Sequence, residues 1–332
     1  MHIARQRLLP PQINKPNNNE ETLRVNTPVS KARSLGVIGL GTMGYGAAVS
    51  AQRRKFSTLG LDISPANIQR FLDAGGKAAT DIADLAAQCD AFLILVVNAA
   101  QTEQVLFGED GLIHHAKPGS VVIAAATVDP ALPPGWEARL AEKGIHFIDG
   151  PVSGGAVKAE AGEMTVMASG KPQAFAVAED VLAAYAGKVY RLGDKAGPGS
   201  TVKMVNQHLA GVHIAAACEA MALGIRAGAD PDQLYEVICN SAGMSWMFQN
   251  RVPHILAGDY KPLSAVNIFV KDLGIVLDAA QKLTMALPLA SSAHQLYLGA
   301  AGAGFGQEDD SAVIKLYAQM TGIELPSGKE KS

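Results

Sequence analysis

Three glycines follow the first apolar run of the chain in the spacing G-x-G-x-x-G. Gly39, Gly41 and Gly44 come directly after the strand-like residues Leu35–Ile38, and Ala47–Ala51 can belong to a helix that follows. A strand, a glycine turn and a helix in this order are typical of a site for dinucleotide phosphates, because the glycines let the pyrophosphate approach the backbone. The start of the helix adds unpaired N–H groups. Glycines also serve ordinary turns, so the pattern alone is a weak indication.

An aspartate at the end of the next predicted strand strengthens this interpretation. Phe56–Leu61 is typical of a strand, and Asp62 follows it. A carboxylate there accepts hydrogen bonds from the adenine-ribose hydroxyls and repels a 2′-phosphate, which favours NAD over NADP. The alternative is a loop aspartate that caps a helix over Pro65–Phe71, a role that Ser64 could also fill.

A Ser-Gly-Gly turn lies further along the chain, within the sequence DGPVSGG of Asp149–Gly155. The backbone amides of Gly154 and Gly155 carry no side chains, so they can line an anionic group such as a carboxylate, and Ser153 adds a hydroxyl donor. The same sequence is equally typical of a plain turn.

A lysine and two amides share one face of a predicted helix that begins at Pro198. Lys203, Asn206 and Gln207 are spaced i, i+3 and i+4. At 100° per residue, a different face carries apolar side chains: Val202, Val205, Leu209, Val212 and Ala216. The polar residues either line a cavity or form a solvated face, and the sequence leaves both interpretations open.

A second lysine interrupts a predicted apolar helix over Ile268–Leu277. Lys271 and Asp272 are its charged residues. A buried functional pair and a surface pair with a snorkelling lysine both fit this pattern.

The elements that must position these residues alternate between strand and helix. Ala91–Val97 is a continuous apolar run, which predicts a central parallel strand buried on both faces. Asn98 follows that run, and Thr127 follows a further predicted strand over Ser120–Ala126. Ligands collect at the carboxyl ends of such strands. The alternation predicts a Rossmann-type, doubly wound α/β sheet domain followed by an all-α domain.

The chain divides into four segments. Its 332 residues are enough for two domains. We expect a dinucleotide-binding domain over 34–197 and, where strand patterns stop, an all-helical domain over 198–324 that binds substrate and mediates oligomerisation. Residues 1–33 are rich in Asn, Pro, Gln and charge, which predicts a disordered tail. Residues 325–332 form a polar tail.

Composition excludes several classes of function. The hydrophobic content of 48% with 18% charged residues is that of a soluble globular protein. A net charge of -3 gives no drive toward nucleic acid or an anionic membrane, and we expect no apolar run of transmembrane length. The three cysteines are far apart, which favours free thiols in a reducing cytoplasm. The eight histidines form no metal-binding pattern, so no metal is expected.

Two alanine-rich helices are too apolar for the surface of a monomer. They cover Gly211–Ala227 and Ala279–Ala290. We therefore expect a homodimer or homotetramer formed through the helical domain.

Taken in order, these motifs resemble the β-hydroxyacid dehydrogenases, a family that includes 3-hydroxyisobutyrate dehydrogenase and tartronate semialdehyde reductase. The resemblance covers about residues 34–324 and rests on GLGTMG, Asp62, Thr127, DGPVSGG, GPGSTVK and FVKDL. Within the family, three stretches resemble the L-threonate dehydrogenase group: QHLAGVHIAAACEAMAL, SAGMSWMFQNRVPHILAGDY and SAVNIFVKDLGIVLD.

The resemblance implies a role for each candidate residue. Lys203 would be the general acid and base. The substrate carboxylate would bind Ser153, Gly154 and Gly155. Asn206 or Gln207 would contact the substrate, and which of them does so is open, because many relatives carry asparagine where this chain has Gln207. The cofactor-binding residues would be Gly39, Leu40, Gly41, Thr42, Met43, Gly44, Asp62, Asn98, Thr127 and Lys271.

The expected activity is NAD-dependent oxidation of a small hydroxy acid, with L-threonate oxidised to its 2-oxo acid as the leading hypothesis. Oxidation of 3-hydroxyisobutyrate and reduction of tartronate semialdehyde are the alternatives within the family. A non-catalytic NAD-binding scaffold is the alternative from another class, and Lys203 argues against it. Burial would lower the pKa of this lysine toward the range of an efficient base.

Overall fold

The computed structural model describes residues 31–328, and its first half is built on a parallel sheet of six strands. These strands are β1 (Ser34–Ile38), β2 (Ser57–Leu61), β3 (Lys77–Ala78), β4 (Ala91–Ile94), β5 (Val121–Ala124) and β6 (His146–Asp149). Their order is β3-β2-β1-β4-β5-β6. The order reverses between β1 and β4, and ligands of such sheets bind at the carboxyl ends beside that point.

Helices cover both faces of this sheet, and a smaller sheet extends the domain. The helices are α1 (Thr42–Arg53), α2 (Pro65–Asp73), α3 (Ile82–Gln88), α4 (Ala99–Phe107), α5 (Leu112–His115), α6 (Pro133–Ala141), α7 (Gly155–Ala161) and α8 (Pro172–Tyr185). The smaller sheet contains β7 (Val152–Ser153), β8 (Met164–Ala168) and β9 (Ala186–Arg191), with β7 antiparallel to β8. An isolated bridge between Asp149 and Ser169 links the two sheets.

The second half is helical. It contains α9 (Pro198–Arg226), α10 (Pro231–Cys239), α11 (Trp246–Ala257), α12 (Val266–Lys282), α13 (Pro288–Ala300) and α14 (Val313–Thr321). One π-helical turn (Ala301–Phe305) and one 3₁₀ turn (Asp310–Ala312) precede α14. The helix α9 runs through the core of this half and contributes buried residues such as Ile214, Cys218 and Met221. The predicted fold class, a Rossmann-type sheet domain followed by an all-α domain, is confirmed.

The helix α9 departs from one expectation. We expected no apolar run of transmembrane length, yet α9 is long and apolar enough to cross a membrane by length and composition alone. The expectation was wrong because scattered polar residues interrupt the apolar sequence of α9, while its mean hydropathy stays as high as that of a membrane-spanning helix. Of its 18 most apolar consecutive residues, 44% are buried inside the protein, as in the core helix of a globular domain.

The boundaries of the predicted segments differ from the structure at three places. The strand β4 ends at Ile94 rather than Val97, and the backbone of Leu95 and Val96 that follows it lies against Gly39. Most of the predicted tail lies outside the described residues, but Ala32 is buried against the core of the sheet domain. At the other end, Leu325 packs against the core of the helical half.

Candidate active site

A continuous chain of side chains links the two long helices of the second half. Lys203 and Gln207 lie one turn apart on α9, and both are buried. The Lys203 Nζ donates to Gln207 Oε1 at 2.8 Å, and Gln207 Nε2 donates to Asp272 Oδ2 on α12 at 2.6 Å. Asn206 Nδ2 also donates to Gln207 Oε1, at 3.0 Å. The two amides are therefore not equivalent, since Gln207 bonds through both its oxygen and its nitrogen, whereas Asn206 bonds only through its nitrogen.

These hydrogen bonds decide between the two interpretations of the polar face of α9. The face with Lys203 and Gln207 is buried against α12, so it is not a solvated face. The apolar face is the exposed one: Val202, Val205 and Leu209 are 41%, 52% and 51% exposed. The usual arrangement of an amphipathic helix is reversed, because the polar residues bond to each other in the interior.

The series of hydrogen bonds continues from α12 to the sheet domain. Asp272 is only 1% exposed, and its Oδ1 accepts a hydrogen bond from Lys271 Nζ at 2.5 Å. Lys271 Nζ also donates to the backbone oxygen of Thr127 at 3.3 Å. Thr127 follows β5, which pairs with β4 on one side of the reversal of strand order. Lys271 and Asp272 are thus an inward-facing pair rather than a surface pair, and they join the helical half to the carboxyl edge of the sheet.

Burial sets the charge state of the first lysine in this chain. Removal from water disfavours the ammonium and lowers the pKa of Lys203 to about 8, while the negative charge of Asp272 acts to raise it and the positive charge of Lys271 to lower it. A free lysine titrates near ~10.4. An amine with the lower pKa is neutral in part near neutral pH, so Lys203 can accept a proton there and return it as an ammonium.

The glycine turn after β1 has the shape that a nucleotide phosphate needs. Gly39 has φ +93°, which a residue with a side chain rarely adopts. A Cβ on Gly44 would lie 1.7 Å from the Gly39 carbonyl oxygen, so only glycine lets α1 start this close to β1. A Cβ on Gly41 would meet nothing within 4 Å. The turn is therefore open on the side of Gly41 and the N-terminus of α1, where Thr42 and Met43 begin the helix.

Leu40, inside this turn, forms side-chain hydrogen bonds through both its backbone N–H and its carbonyl oxygen. Its N–H donates to Asp62 Oδ2 at 2.6 Å, and its carbonyl oxygen accepts from Arg70 Nη2 at 2.7 Å. Arg70 also packs over the ring of Tyr45, 4.1 Å from the centroid. Arg70 was not predicted from the sequence, because its partner Leu40 is 30 residues away and no spacing rule joins an arginine on α2 to a turn after β1.

Asp62 also organises the start of the next helix. Its carboxylate accepts from Ser64 N at 2.7 Å and from Asn67 Nδ2 at 3.2 Å, which helps to start α2. Ser64 is the N-cap of α2, but its side chain makes no capping bond. A carboxylate has about four acceptor positions. With three of them used here, Asp62 retains capacity for a ribose hydroxyl.

Two further candidates for the cofactor site lie at the same edge of the sheet. Asn98 follows β4, and its Oδ1 accepts from Gln101 N at 2.9 Å to cap α4. Thr127 follows β5 and presents its backbone oxygen to Lys271. Since β1, β4 and β5 are adjacent and parallel, Gly39, Asn98 and Thr127 follow neighbouring strands on the edge where nucleotides bind.

The Ser-Gly-Gly turn connects β7 to α7. Ser153 ends β7, and Gly154 and Gly155 have φ +136° and +71°. Ser153 and Gly154 are half-buried, and Gly155 is exposed. Within residues 31–328, no hydrogen bond joins this turn to Lys203, so the structure does not itself bring these two groups of candidates into contact.

Asp272 is a site residue that the sequence analysis noted without assigning it a role. The signal was an acidic residue beside Lys271 in an otherwise apolar helix. Its partner Gln207 is 65 residues away. Sequence spacing could place Gln207 and Lys203 on one face but could not supply the carboxylate that orients the amide between them.

Comparisons with known proteins agree with this arrangement. One family model, the NAD-binding domain of 6-phosphogluconate dehydrogenase, matches residues 34–193. A second, the NAD-binding region of NADP-dependent 3-hydroxyisobutyrate dehydrogenase, matches residues 197–317. A two-domain chain of this kind, with a nucleotide-binding sheet and a lysine-bearing helical half, is an NAD(P)-dependent hydroxyacid oxidoreductase. The chain belongs to the 3-hydroxyisobutyrate dehydrogenase-like family, as its sequence motifs predicted.

Individual relatives are similar over nearly the whole chain. L-threonate dehydrogenase of Cupriavidus necator is 58% identical over 90% of this chain and 100% of that protein. Human mitochondrial 3-hydroxyisobutyrate dehydrogenase is 30% identical over 86% of this chain and 87% of its own length. Among solved structures, 3-hydroxyisobutyrate dehydrogenase from Salmonella typhimurium is 52% identical, with a TM-score of 0.81 over 85% of this chain and 99% of that one.

The glycine turn gives a first prediction. Gly44→Ala forces a Cβ against the Gly39 carbonyl, so we expect the free energy of unfolding to fall by at least about 1–3 kcal/mol. Gly41→Ala is the matched control, because its φ of -59° suits alanine and its Cβ enters open space. Thermal denaturation should show Gly41→Ala as stable as the parent, while NADH titration followed by fluorescence shows weaker binding. Equal stability of the two variants would contradict this account of the turn.

The charge of Asp272 gives a second prediction. Because this carboxylate raises the pKa of Lys203 against the effect of burial, Asp272→Asn should move the pKa of Lys203 below about 8. The measurement is amine-selective labelling across a pH series, with the extent of modification at Lys203 read by mass spectrometry. Asp278→Asn is the control, because Asp278 lies on α12 but is exposed and does not act on Lys203. An unchanged or higher labelling midpoint in Asp272→Asn would show that another group sets this pKa.

Proposed function

We propose that this enzyme oxidises L-threonate to its 2-oxo acid with NAD as the acceptor. The observation that carries the proposal is the buried Lys203, an amine with a lowered pKa at the end of a fixed chain of hydrogen bonds. The substrate is chosen from the relatives. Several that are named L-threonate dehydrogenase are 51–58% identical to this chain, whereas the human enzyme named for 3-hydroxyisobutyrate is 30% identical.

The cofactor would lie along the carboxyl edge of the sheet. When bound, NAD supplies the acceptor for the hydride that leaves the substrate carbon. The open space at Gly41 and the remaining acceptor capacity of Asp62 fit its pyrophosphate and adenine ribose. The residues that we propose to hold it are Gly39, Leu40, Gly41, Thr42, Met43, Gly44, Asp62, Asn98, Thr127 and Lys271.

The substrate would bind with its carboxylate at the Ser-Gly-Gly turn. The amides of Gly154 and Gly155 have no side chains to block an anion, and Ser153 supplies a hydroxyl. Of the two amides on α9, we assign the substrate contact to Asn206. Gln207 uses its oxygen on Lys203 and its nitrogen on Asp272, whereas Asn206 is half-buried and bonds only through its nitrogen.

Lys203 would then take the hydroxyl proton. Its Nζ must be neutral to do so, and it gives one N–H to Gln207 Oε1, which leaves the lone pair to point elsewhere. Asp272 fixes the amide of Gln207 with the oxygen toward the lysine, because only the amide nitrogen can donate to a carboxylate. Burial excludes water that would otherwise solvate the ammonium. In the reverse direction the ammonium form of Lys203 returns the proton.

Oxidation of 3-hydroxyisobutyrate is the second candidate. The observation that favours it is the Salmonella structure, which carries that name at 52% identity. The fold, the amine and the cofactor site serve either substrate, so the two candidates differ only in the fit of the hydroxy acid.

A cytoplasmic location is proposed as well. Cys89, Cys218 and Cys239 are free thiols, two of them buried, which fits a reducing compartment.

For the assembly we propose a homodimer or homotetramer formed through the helical domain. The apolar face of α9 presents Val202, Val205 and Leu209 to the surface without an intervening charge. A second copy of the chain is the proposed occupant, because an uncharged face can meet its own copy across a two-fold axis without like-charge repulsion. Removal of such side chains from water would stabilise the pairing.

A substrate comparison tests the proposed activity. NADH absorbance is followed during oxidation of L-threonate and 3-hydroxyisobutyrate, with NAD and NADP in parallel, and during reduction of tartronate semialdehyde by NADH. We expect the highest kcat/KM for L-threonate with NAD. Because the neutral amine is the base, the oxidation rate should rise with pH through a midpoint near 8. Lys203→Met should lower turnover by about 10²–10⁴-fold, since it removes general base catalysis. NADH binding should persist in this variant.

Three results would count against the proposal. Turnover retained in Lys203→Met would remove the lysine from the chemistry. Nucleotide binding without turnover on any hydroxy acid would favour the scaffold alternative. A higher kcat/KM for 3-hydroxyisobutyrate would replace the proposed substrate with the second candidate.

The assembly is tested by light scattering coupled to size-exclusion chromatography. The parent should run as a dimer or tetramer, and Leu209→Glu should shift it to a monomer, because a charge would be buried without a partner. Val237→Glu is the matched control, since Val237 is at least as exposed as Leu209 but lies on α10 rather than on α9. A monomeric parent at micromolar concentration would rule the interface out.

A further inference from the structure

A carboxylate is buried at the point where the two halves of the molecule meet. Asp149 ends β6 and is only 1% exposed. Within residues 31–328, no lysine, arginine or histidine forms an ion pair with it. A buried carboxylate without a cation needs strong hydrogen-bond donors to remain in place. Most of the donors to its carboxylate come from the start of α9, the helix that carries Lys203.

The hydrogen bonds of Asp149 replace a missing helix cap. The N-cap residue of α9 is Gly197, which has no side chain to accept from the first amides of the helix. Asp149 Oδ2 accepts instead from Gly197 N at 3.0 Å and from Ser200 N at 2.8 Å. Its Oδ1 accepts from Ser200 Oγ at 2.6 Å. A carboxylate at this end of a helix also has a favourable interaction with the helix dipole.

A serine that directly follows β8 completes the arrangement. Ser169 Oγ donates to Asp149 Oδ2 at 3.1 Å and accepts from Gly199 N at 2.9 Å. A Cβ on Gly199 would lie 2.4 Å from the Met167 carbonyl oxygen and 2.6 Å from that of Asp149. The first turn of α9 is therefore packed directly against the backbone of Asp149 and Met167, at the ends of β6 and β8.

We propose that Asp149 is a positioning residue for Lys203. This inference rests on the proposed function, in which Lys203 is the base. Lys203 follows Ser200 by three residues, less than one helical turn, so a rotation or shift of the first turn displaces its amine directly. The other end of the lysine is held through Gln207 and Asp272. Asp149 fixes the helix, and the Gln207–Asp272 pair fixes the side chain.

The test uses Ser200, because within residues 31–328 its hydroxyl is the one hydrogen-bond donor to Asp149 Oδ1. Ser200→Ala removes that bond and leaves the carboxylate in place, and Ser200→Thr keeps a hydroxyl. Thr201→Ala is the matched control, because Thr201 lies on the same turn, is exposed and donates to Gly197 O rather than to Asp149. The measurements are kcat and KM, NADH affinity, and the pH dependence of amine labelling at Lys203.

A displaced amine has a distinct signature in these measurements. Since a misplacement of ~1 Å can cost about 10²-fold, we expect Ser200→Ala to lose at least about tenfold in kcat. Its NADH affinity should stay within about twofold, because the glycine turn and Asp62 are untouched, and its Lys203 labelling midpoint should shift. Ser200→Thr should restore most of kcat, and Thr201→Ala should match the parent. The more severe Asp149→Asn places an amide N–H₂ against donors and should be impaired at least as much.

Two outcomes would overturn the proposal. One is a Ser200→Ala variant whose kcat and Lys203 labelling midpoint equal those of the parent. The other is Ser200→Thr impaired as much as Ser200→Ala, which would mean that the hydroxyl bond is not what matters. The labelling measurement does not need turnover. If the parent oxidises no hydroxy acid, the proposed function fails, and a labelling shift confined to Ser200→Ala still supports the positioning role.

Discussion

The structure depends on the burial of one amine. Removing Lys203 from water disfavours its ammonium form, and a charge left there alone would be costly to the fold. Gln207 and Asp272 resolve this conflict, because the carboxylate is near enough to support the ammonium but bonds to it only through the amide. The lysine is therefore stable in both protonation states, which a group that takes and returns a proton requires.

That amine must also have a fixed place relative to the sheet. Two attachments supply it, one from α9 and one from α12. The first turn of α9 is bonded to Asp149 at the end of β6, and α12 reaches Thr127 after β5 through Lys271. An ion pair between Lys282 and Asp129 adds a third, exposed contact between α12 and the same loop. Since β5 and β6 are neighbouring strands, both helices are attached to the same edge of the sheet.

The sequence predicted what depends on near neighbours along the chain. The glycine turn, the buried strand β4 and the shared face of Lys203 and Gln207 each follow from spacings of a few residues. The pairs that complete the site are distant: Arg70 with Leu40, Ser200 with Asp149, and Gln207 with Asp272 are 30, 51 and 65 residues apart. A single sequence holds no periodicity that joins such residues, so only the family resemblance anticipated part of the arrangement.

The helix α9 breaks the rule that apolar faces point inward, because one of its apolar faces is exposed while its polar face is buried. It has three faces: one in the core of the helical half with Ile214 and Cys218, one polar and buried against α12, and one apolar and exposed. The polar face can be interior because its donors and acceptors satisfy each other. Within residues 31–328, the apolar face is left about half exposed at Val205 and Leu209. A second copy that covers it would press on the helix opposite Lys203, so association and the rigidity of the site would depend on the same helix.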